Sequence, residues 1–271
     1  LKGIEPHLGL SGLFSNQNYA GTWLSVIWPF SLGFIFLNKK NRSKKIISIL
    51  LLALTTQAII LTTSRNALSG VLLSIPILLG IKSIIIIFSL IVLILILFIL
   101  GKYFSGIASI LDFLISLFPV QFIDKFSKLS LTNILDFRRI DLWNNSIKLI
   151  STRPIFGLGA AFFPILYYIY FNPENYTEQH THNLFLELAA GYGYLVSISF
   201  LFFIVYLLYS TWKVLYKAES TNYSEIIVNK SWLAASFVIV LSQMNDVTYY
   251  DGRISIIFWI LLSGLRNIVL Y

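Results

Sequence analysis

From Ser83 to Leu100 the chain is an almost unbroken run of Ile, Leu, Val and Phe, interrupted by a single further serine, Ser89. Wound as an α-helix at about 1.5 Å per residue, a run of this length crosses most of a bilayer's hydrocarbon core. Lipid offers the backbone no hydrogen-bond partner. Only helices and closed barrels can therefore span it, and a run without apolar–polar alternation is a helix. Similar runs recur along the sequence. The chain is 57% hydrophobic and only 12% charged, about half the charge of a soluble domain. The expected fold class is an all-α membrane protein, a polytopic helical bundle of about seven spans with one large periplasmic loop containing short amphipathic helices.

Sides follow from one short stretch. Asn38-Lys39-Lys40-Asn41-Arg42-Ser43-Lys44-Lys45 carries five positive charges and no acid, and short loops this basic stay in the cytoplasm. The net charge of +8 is accounted for by such loops beside anionic headgroups, and no aromatic platform supports a nucleic-acid partner. The expected spans are Tyr19 to Leu37, Ile46 to Thr63, Ala67 to Ile81, Ser83 to Leu100, Leu184 to Tyr209, Ser231 to Tyr249 and Ile254 to Leu265. Residues 101–182 then form the large external loop within a single membrane domain, 1–271. In that loop, Ile107 to Phe118 is too short to span and reads as an interfacial or re-entrant helix. Asp136 to Thr152 reads as an amphipathic helix, with Ile140, Trp143, Ile147 and Ile150 at helical spacing, stopped by Pro154. Phe162 to Phe171 is an aromatic strip of interfacial type, and Asn172-Pro173-Glu174-Asn175 is an exposed loop. The chain opens at Leu1 without a signal peptide and is expected to be the C-terminal portion of a longer protein. It has no cysteine, so neither disulfides nor thiolate metal sites arise.

This topology sorts the reactive polar residues to one side. Arg65, Arg139, His182 and Arg253 all fall on the outer face. Gln179-His180-Thr181-His182-Asn183 is where the long loop enters an apolar span, with Glu187 one turn further on. Histidine exchanges protons near neutral pH, so a histidine at a span mouth suits proton transfer on a lipid-borne substrate. The bland alternative is a polar cap that ends a span. His180 with His182 could also form a two-ligand metal clip, but stable sites use three or four ligands and no others cluster nearby in sequence. Asp246, Asp251 and Arg253 read as structural ion pairs, or as lining the same cavity.

Four pieces of sequence together resemble the O-antigen ligase and O-antigen polymerase superfamily. They are Gly12-Leu13-Phe14-Ser15-Asn16-Gln17-Asn18 with Ala20; Ser64-Arg65 with Ala67; Arg139, Trp143, Pro154, Gly157 and Gly159; and His182-Asn183 followed after nine residues by Gly193. They occur in the family's order. Where the family often has a second glycine three residues on, this chain has Val196, which puts the packing of that helix in question. The resemblance implies an architecture like that of C-type glycosyltransferases. It further implies transfer of an undecaprenyl-diphosphate-linked glycan to an acceptor hydroxyl on lipid or glycan, at the periplasmic face of the bacterial inner membrane. It gives no cofactor and no metal. By the same resemblance, His182, Arg65 and Arg139 carry the chemistry, and Asn183, Glu187, Trp143 and Arg253 line the substrate. The residues leave ligase and polymerase open, and a multi-pass transporter, for example of inorganic carbon, is the alternative. A transporter should show charges at mid-span or repeated halves, and these spans lack central charges.

The topology makes a direct prediction. Cysteines placed at Asn41 and Asn175 should be labelled from opposite sides of the membrane by an impermeant thiol reagent. Labelling of both from the same side contradicts it.

Overall fold

The computed structural model describes residues 9–14, 16–116, 118–120, 122–123, 137–171, 178–217 and 222–270. The Asn172–Asn175 loop, His7 and Ser15 lie outside them. The described residues are helical: α1 (Gln17–Leu37), α2 (Arg42–Thr62), α3 (Arg65–Leu79), α4 (Lys82–Gly101), α5 (Ser105–Ser116), α6 (Phe137–Ile150), α7 (Phe163–Phe171), α8 (Leu184–Tyr192), α9 (Tyr194–Lys217), α10 (Tyr223–Asn245) and α11 (Gly252–Leu270), with a 3₁₀ turn at Thr248–Tyr250. Six of these, α1, α2, α4, α9, α10 and α11, are long and apolar enough to cross a membrane, so the chain is a multi-pass helical membrane protein. The third expected span is α3, 15 residues long, with Pro76 in its last turn and Gly80 as its cap. The helix expected from Ile107 is α5, 12 residues long, and it buries none of them. α4 buries only Ser83, as a lipid-facing apolar run should.

The chain divides into two compact units, Leu1–Leu129 with Asn222–Ala235, and Ser130–Thr221 with Ser236–Tyr271. In the first, α1, α2 and α3 pack around Trp28, Ile59, Ala67, Val71 and Leu78, joined by Ala234 from α10. The Trp28 indole N–H donates to Thr56 Oγ1 at 2.8 Å, so its one polar atom is satisfied inside the apolar cluster. The first two sequence pieces meet here. Asn16 caps α1 by accepting from the Asn18 N–H at 2.8 Å. Next to it, Gln17 Oε1 accepts from the Gly9 N–H and, at 3.3 Å, from the Thr63 hydroxyl. Thr63 leads directly into Ser64, the cap of α3. Gly21 of α1 faces the same junction, where a Cβ would lie 2.8 Å from Ser64 Cβ.

In the second unit, α6, α7 and α8 share a core of Leu142, Leu149, Ile150, Phe163, Tyr167, Ala189 and Ala190. The amphipathic helix is present, but its buried stripe differs from expectation. Leu142, Ser146, Leu149 and Ile150 are buried, whereas Ile140 and Ile147 are exposed. Spacings of four, three and one residue from Leu142 make one continuous stripe, rotated from the isoleucine set because α7 and α8 pack on the leucines.

The span read as continuous from Leu184 to Tyr209 is two helices, broken at Gly193. There φ is +88°, a backbone region glycine enters freely. The break is a docking point for the Pro154–Gly159 turn. Tyr194 N–H donates to the Pro154 carbonyl at 2.7 Å, Leu158 N–H to the Ala190 carbonyl at 2.7 Å, and Gly159 N–H to the Gly191 carbonyl at 3.1 Å. Backbone meets backbone only because side chains are missing. A Cβ on Gly157 would lie 2.6 Å from the Gly191 carbonyl carbon and the Tyr192 and Gly193 nitrogens, and one on Gly193 would collide with the Ile155 carbonyl. Val196 is 45% exposed, so the missing second glycine is not needed at this contact.

Gly193→Ala should therefore destabilise the protein by at least about 2 kcal/mol, from a disfavoured positive φ plus a backbone clash. Gly106→Ala, where a Cβ meets nothing within 4 Å, should stay within about 1 kcal/mol of wild type. Apparent Tm values in one detergent compare them, and equal Tm for the two variants would contradict the docking role.

Candidate active site

The site is built on the residues that lead into α8. Asn183 is its N-cap. Its backbone is extended, at φ −151° and ψ 118°, and its side-chain oxygen accepts from the Phe185 and Leu186 N–H groups at 3.0 and 3.1 Å. Such a cap contributes about 1 kcal/mol. Its Nδ2 donates to the Met244 carbonyl at 3.1 Å, tying the start of α8 to the end of α10. Two residues earlier, Thr181 is fully buried and held on three sides. Its N–H donates to Glu187 Oε2 at 2.9 Å, its hydroxyl donates to the Asn183 carbonyl at 2.8 Å, and its carbonyl accepts from Trp143 Nε1 at 3.0 Å.

His182, between these two anchored residues, has φ +53°. The left-handed region costs a non-glycine residue about 1–3 kcal/mol, and histidine is among the residues enriched there. Hydrogen bonds of about 1 kcal/mol each on both neighbours suffice to hold it. The result aims the imidazole at Asp246, just past the end of α10, with Nδ1 3.1 Å from Oδ1. Nε2 lies 3.4 Å from Glu178 Oε2. His180 Nε2 lies 3.5 Å from the same Asp246 oxygen and is buried with no hydrogen-bond partner; that distance is long for a hydrogen bond. The two imidazole rings are 4.5 Å apart.

Asp246 is itself buried. Burial pushes its carboxyl pKa up, but the His182 hydrogen bond and the two imidazoles beside it outweigh this and hold it well below the usual carboxylate range. The Asp246 hydrogen bond, opposed by burial and by the Arg139 charge, raises His182 above its ordinary 6.5, with Glu178 adding to the rise. Both shifts favour a His182 imidazolium facing an Asp246 carboxylate. The stability that His182 contributes is complete below its ordinary pKa and is lost as pH rises through the raised one. The share of Asp246 is present above about pH 4 and is lost as pH falls through its lowered value.

A neutral His182 that donates Nδ1–H to Asp246 presents a lone pair on Nε2, the arrangement of a general base held in one tautomer. The same three residues have a second capability. One ligand atom each from His180, His182 and Asp246 lie within 4.8 Å of one another, a donor set that suits a divalent cation. The third ligand atom, which the histidine pair lacked in sequence, comes from Asp246, just past the end of α10.

The other expected residues are distributed unevenly. Arg139 is half-buried in the first turn of α6, one turn before Trp143, and its charge reaches His182. Trp143 positions the Thr181 carbonyl. Glu187 does not touch His182. It holds Thr181 and accepts from the Tyr250 hydroxyl at 2.9 Å. Arg253 forms an exposed pair with Asp251, with Nη2 2.6 Å from Oδ2 and Nε 3.0 Å from Oδ1, the structural ion pair expected there. Asp246 faces His180 and His182. An acid directly after a span, on the same side as His182, was the signal for its role. Arg65 belongs to the first unit, where it is exposed at the first residue of α3.

No curated protein matches this sequence. The profile of the family described as O-Antigen ligase matches residues 46–201, more than half of the chain. The match takes in Arg65, Arg139, His182 and Gly193 and stops short of Asp246. The chain therefore belongs to the O-antigen ligase family.

Proposed function

We propose that this protein transfers a glycan from an undecaprenyl-diphosphate carrier to an acceptor hydroxyl at the periplasmic face of the inner membrane, with His182 as general base. Membership of the family supports a glycosyl-transfer function in polysaccharide biosynthesis. The observation that carries the finer reading is the hydrogen bond from His182 to the buried Asp246. In the proposed step, His182 Nε2 takes the proton from the acceptor hydroxyl, whose oxygen attacks the anomeric carbon. The bond from that carbon to the carrier phosphate breaks, and the lipid diphosphate leaves with the electron pair.

The leaving group gains negative charge as the bond breaks, and arginine stabilises it through paired contacts to phosphate oxygens. Arg139 is proposed for this role because it lies one helical turn from the Trp143 that holds the His182 loop. Arg65 is assigned independently. It stands at the N-terminus of α3, where the helix dipole is itself positive, so an anion there meets both. The periplasmic face, the 101–182 loop as periplasmic, and Asn183, Glu187, Trp143 and Arg253 near substrate belong to the same proposal. For Asn183, Glu187 and Trp143, the contacts support a positioning role. The polar residues sit at helix ends and loops, which favours surface chemistry over passage of a solute through mid-span.

The His180–His182–Asp246 donor set favours one second reading, a metal-assisted transfer. Chelation separates the two. The general-base reading expects unchanged turnover after EDTA treatment, and loss restored by added Zn²⁺ would support the metal reading.

With purified protein in nanodiscs and an undecaprenyl-diphosphate donor, His182→Ala should lower turnover about 10²–10⁴-fold with donor binding nearly unchanged. His180→Ala should cost far less. Arg139→Ala and Arg65→Ala should each abolish transfer, and the lysine variants should retain little, because an ammonium cannot reproduce the bidentate contact. Unchanged turnover in His182→Ala would remove it from the chemistry. In a deletion strain, loss of all attached polymer would identify a ligase, and single repeat units left attached would identify a polymerase.

A further inference from the structure

A cleft of about 370 Å³ opens beside the His182 loop, between α8, the residues leading into α7 and the Thr248–Tyr250 turn. Its walls are largely apolar and aromatic, with a few polar groups. Tyr192 and Tyr250 are 51% and 64% exposed, and Tyr249, Gln179 and Glu187 are also in the lining. Exposed tyrosines are costly surface unless something covers them, and here two, with the half-buried Tyr249, stand around one concavity. They are also held in place. The fully buried Gln243 fixes the turn, donating to Thr248 Oγ1 at 2.6 Å and accepting from the Tyr249 N–H at 3.0 Å. Tyr249 accepts from Trp259 Nε1 at 2.8 Å.

The charge pattern selects the occupant. Among the described residues, Glu187 is the one carboxyl in the lining, and no Lys, Arg or His lines the cleft. A diphosphate or a uronic acid would be repelled and would find no cation to pair with. A neutral pyranose fits. Its C–H face can lie on a tyrosine ring, and its hydroxyls can bond Gln179 and the tyrosine hydroxyls. The volume is that of one or two sugar rings.

The cleft is wired to the catalytic loop. Tyr250 donates to Glu187, Glu187 holds Thr181, and Thr181 precedes His182. The Tyr250 ring also meets His180 edge-on, with ring centroids 6.3 Å apart. The donor's reacting sugar is bonded to a diphosphate that this carboxylate-lined cleft disfavours. The acceptor sugar, whose hydroxyl must reach the base, has no such charge. We infer that the cleft is the acceptor subsite and that it selects a neutral sugar, Tyr250 and Tyr192 being its specificity-determining residues. The inference rests on the glycosyl-transfer reading.

Saturation-transfer NMR on the purified protein in nanodiscs tests it, with methyl glucoside, methyl N-acetylglucosaminide and methyl glucuronide as probes. At least one neutral glycoside should receive saturation, with an affinity of about millimolar, and the glucuronide should bind at least about tenfold more weakly. Ala160→Trp, which fills the cleft from its exposed rim, should abolish the signal. Tyr192→Ala, a truncation of an exposed side chain, should weaken binding about fivefold or more, so a folding failure of the first variant does not leave the question open. No saturation of any glycoside, equal binding of the glucuronide, or binding untouched by Tyr192→Ala would overturn the assignment. Failure here with transfer still abolished by His182→Ala would sink the subsite alone and leave the general base in place.

Discussion

The hydrogen bond between His182 and Asp246 is the contact on which the proposed chemistry depends. It joins the loop that begins α8 to the residue just past the end of α10, two stretches more than sixty residues apart. A buried carboxylate without a partner would be strongly destabilising. Asp246 is tolerated because His182 and His180 surround it, and His182 is held in a left-handed backbone because Thr181 and Asn183 are anchored on either side. Each element explains the next. The cap at Asn183 sets where α8 starts, the buried Thr181 fixes the residue before the histidine, and the left-handed turn between them points the ring at the acid.

A second constraint is steric. The Pro154–Gly159 turn lies on the break between α8 and α9 with its backbone against theirs, and Gly157 and Gly193 are the positions where any Cβ would collide. This contact holds α6 beside α8. It therefore places Trp143 under the Thr181 carbonyl and Arg139 within electrostatic reach of His182. Two motifs separated in sequence, the proline–glycine series and the histidine–asparagine–glycine series, are thus the two halves of one packed joint. In the first unit the same logic joins the Gly12–Asn18 stretch to Ser64, through Gln17 and Thr63.

Much of this was legible in the sequence, for identifiable reasons. Span-length apolar runs reveal helices because lipid permits few alternatives, and α4 needed no tertiary information at all. His182, Arg65 and Arg139 were singled out by the family resemblance of the motifs that hold them, since a charged or polar residue at a span end often only anchors the helix. The break at Gly193 was hidden, since an apolar run continues through it and only the docked turn shows why a single glycine interrupts the helix. The buried face of α6 was misassigned because both its leucines and its isoleucines satisfy helical periodicity, and packing partners choose between them. Asp246 was grouped with Asp251 and Arg253, as structural ion pairs or as lining one cavity, because the histidines it meets lie more than sixty residues away in sequence. Tyr250 carried no signal until the 3₁₀ turn placed it against Glu187.

The central claim is that Asp246 makes His182 a stronger base and that transfer requires the neutral imidazole. The pH dependence of kcat/KM, measured for wild type and Asp246→Asn, tests this most directly. Wild-type activity should fall as pH drops through an apparent pKa above the ordinary histidine value of 6.5. In Asp246→Asn that limb should move to lower pH, because the amide no longer stabilises the imidazolium, and the plateau rate should fall with the weaker base. A profile that is flat between about pH 5 and 9, or a limb that the Asn variant leaves in place, would contradict the account.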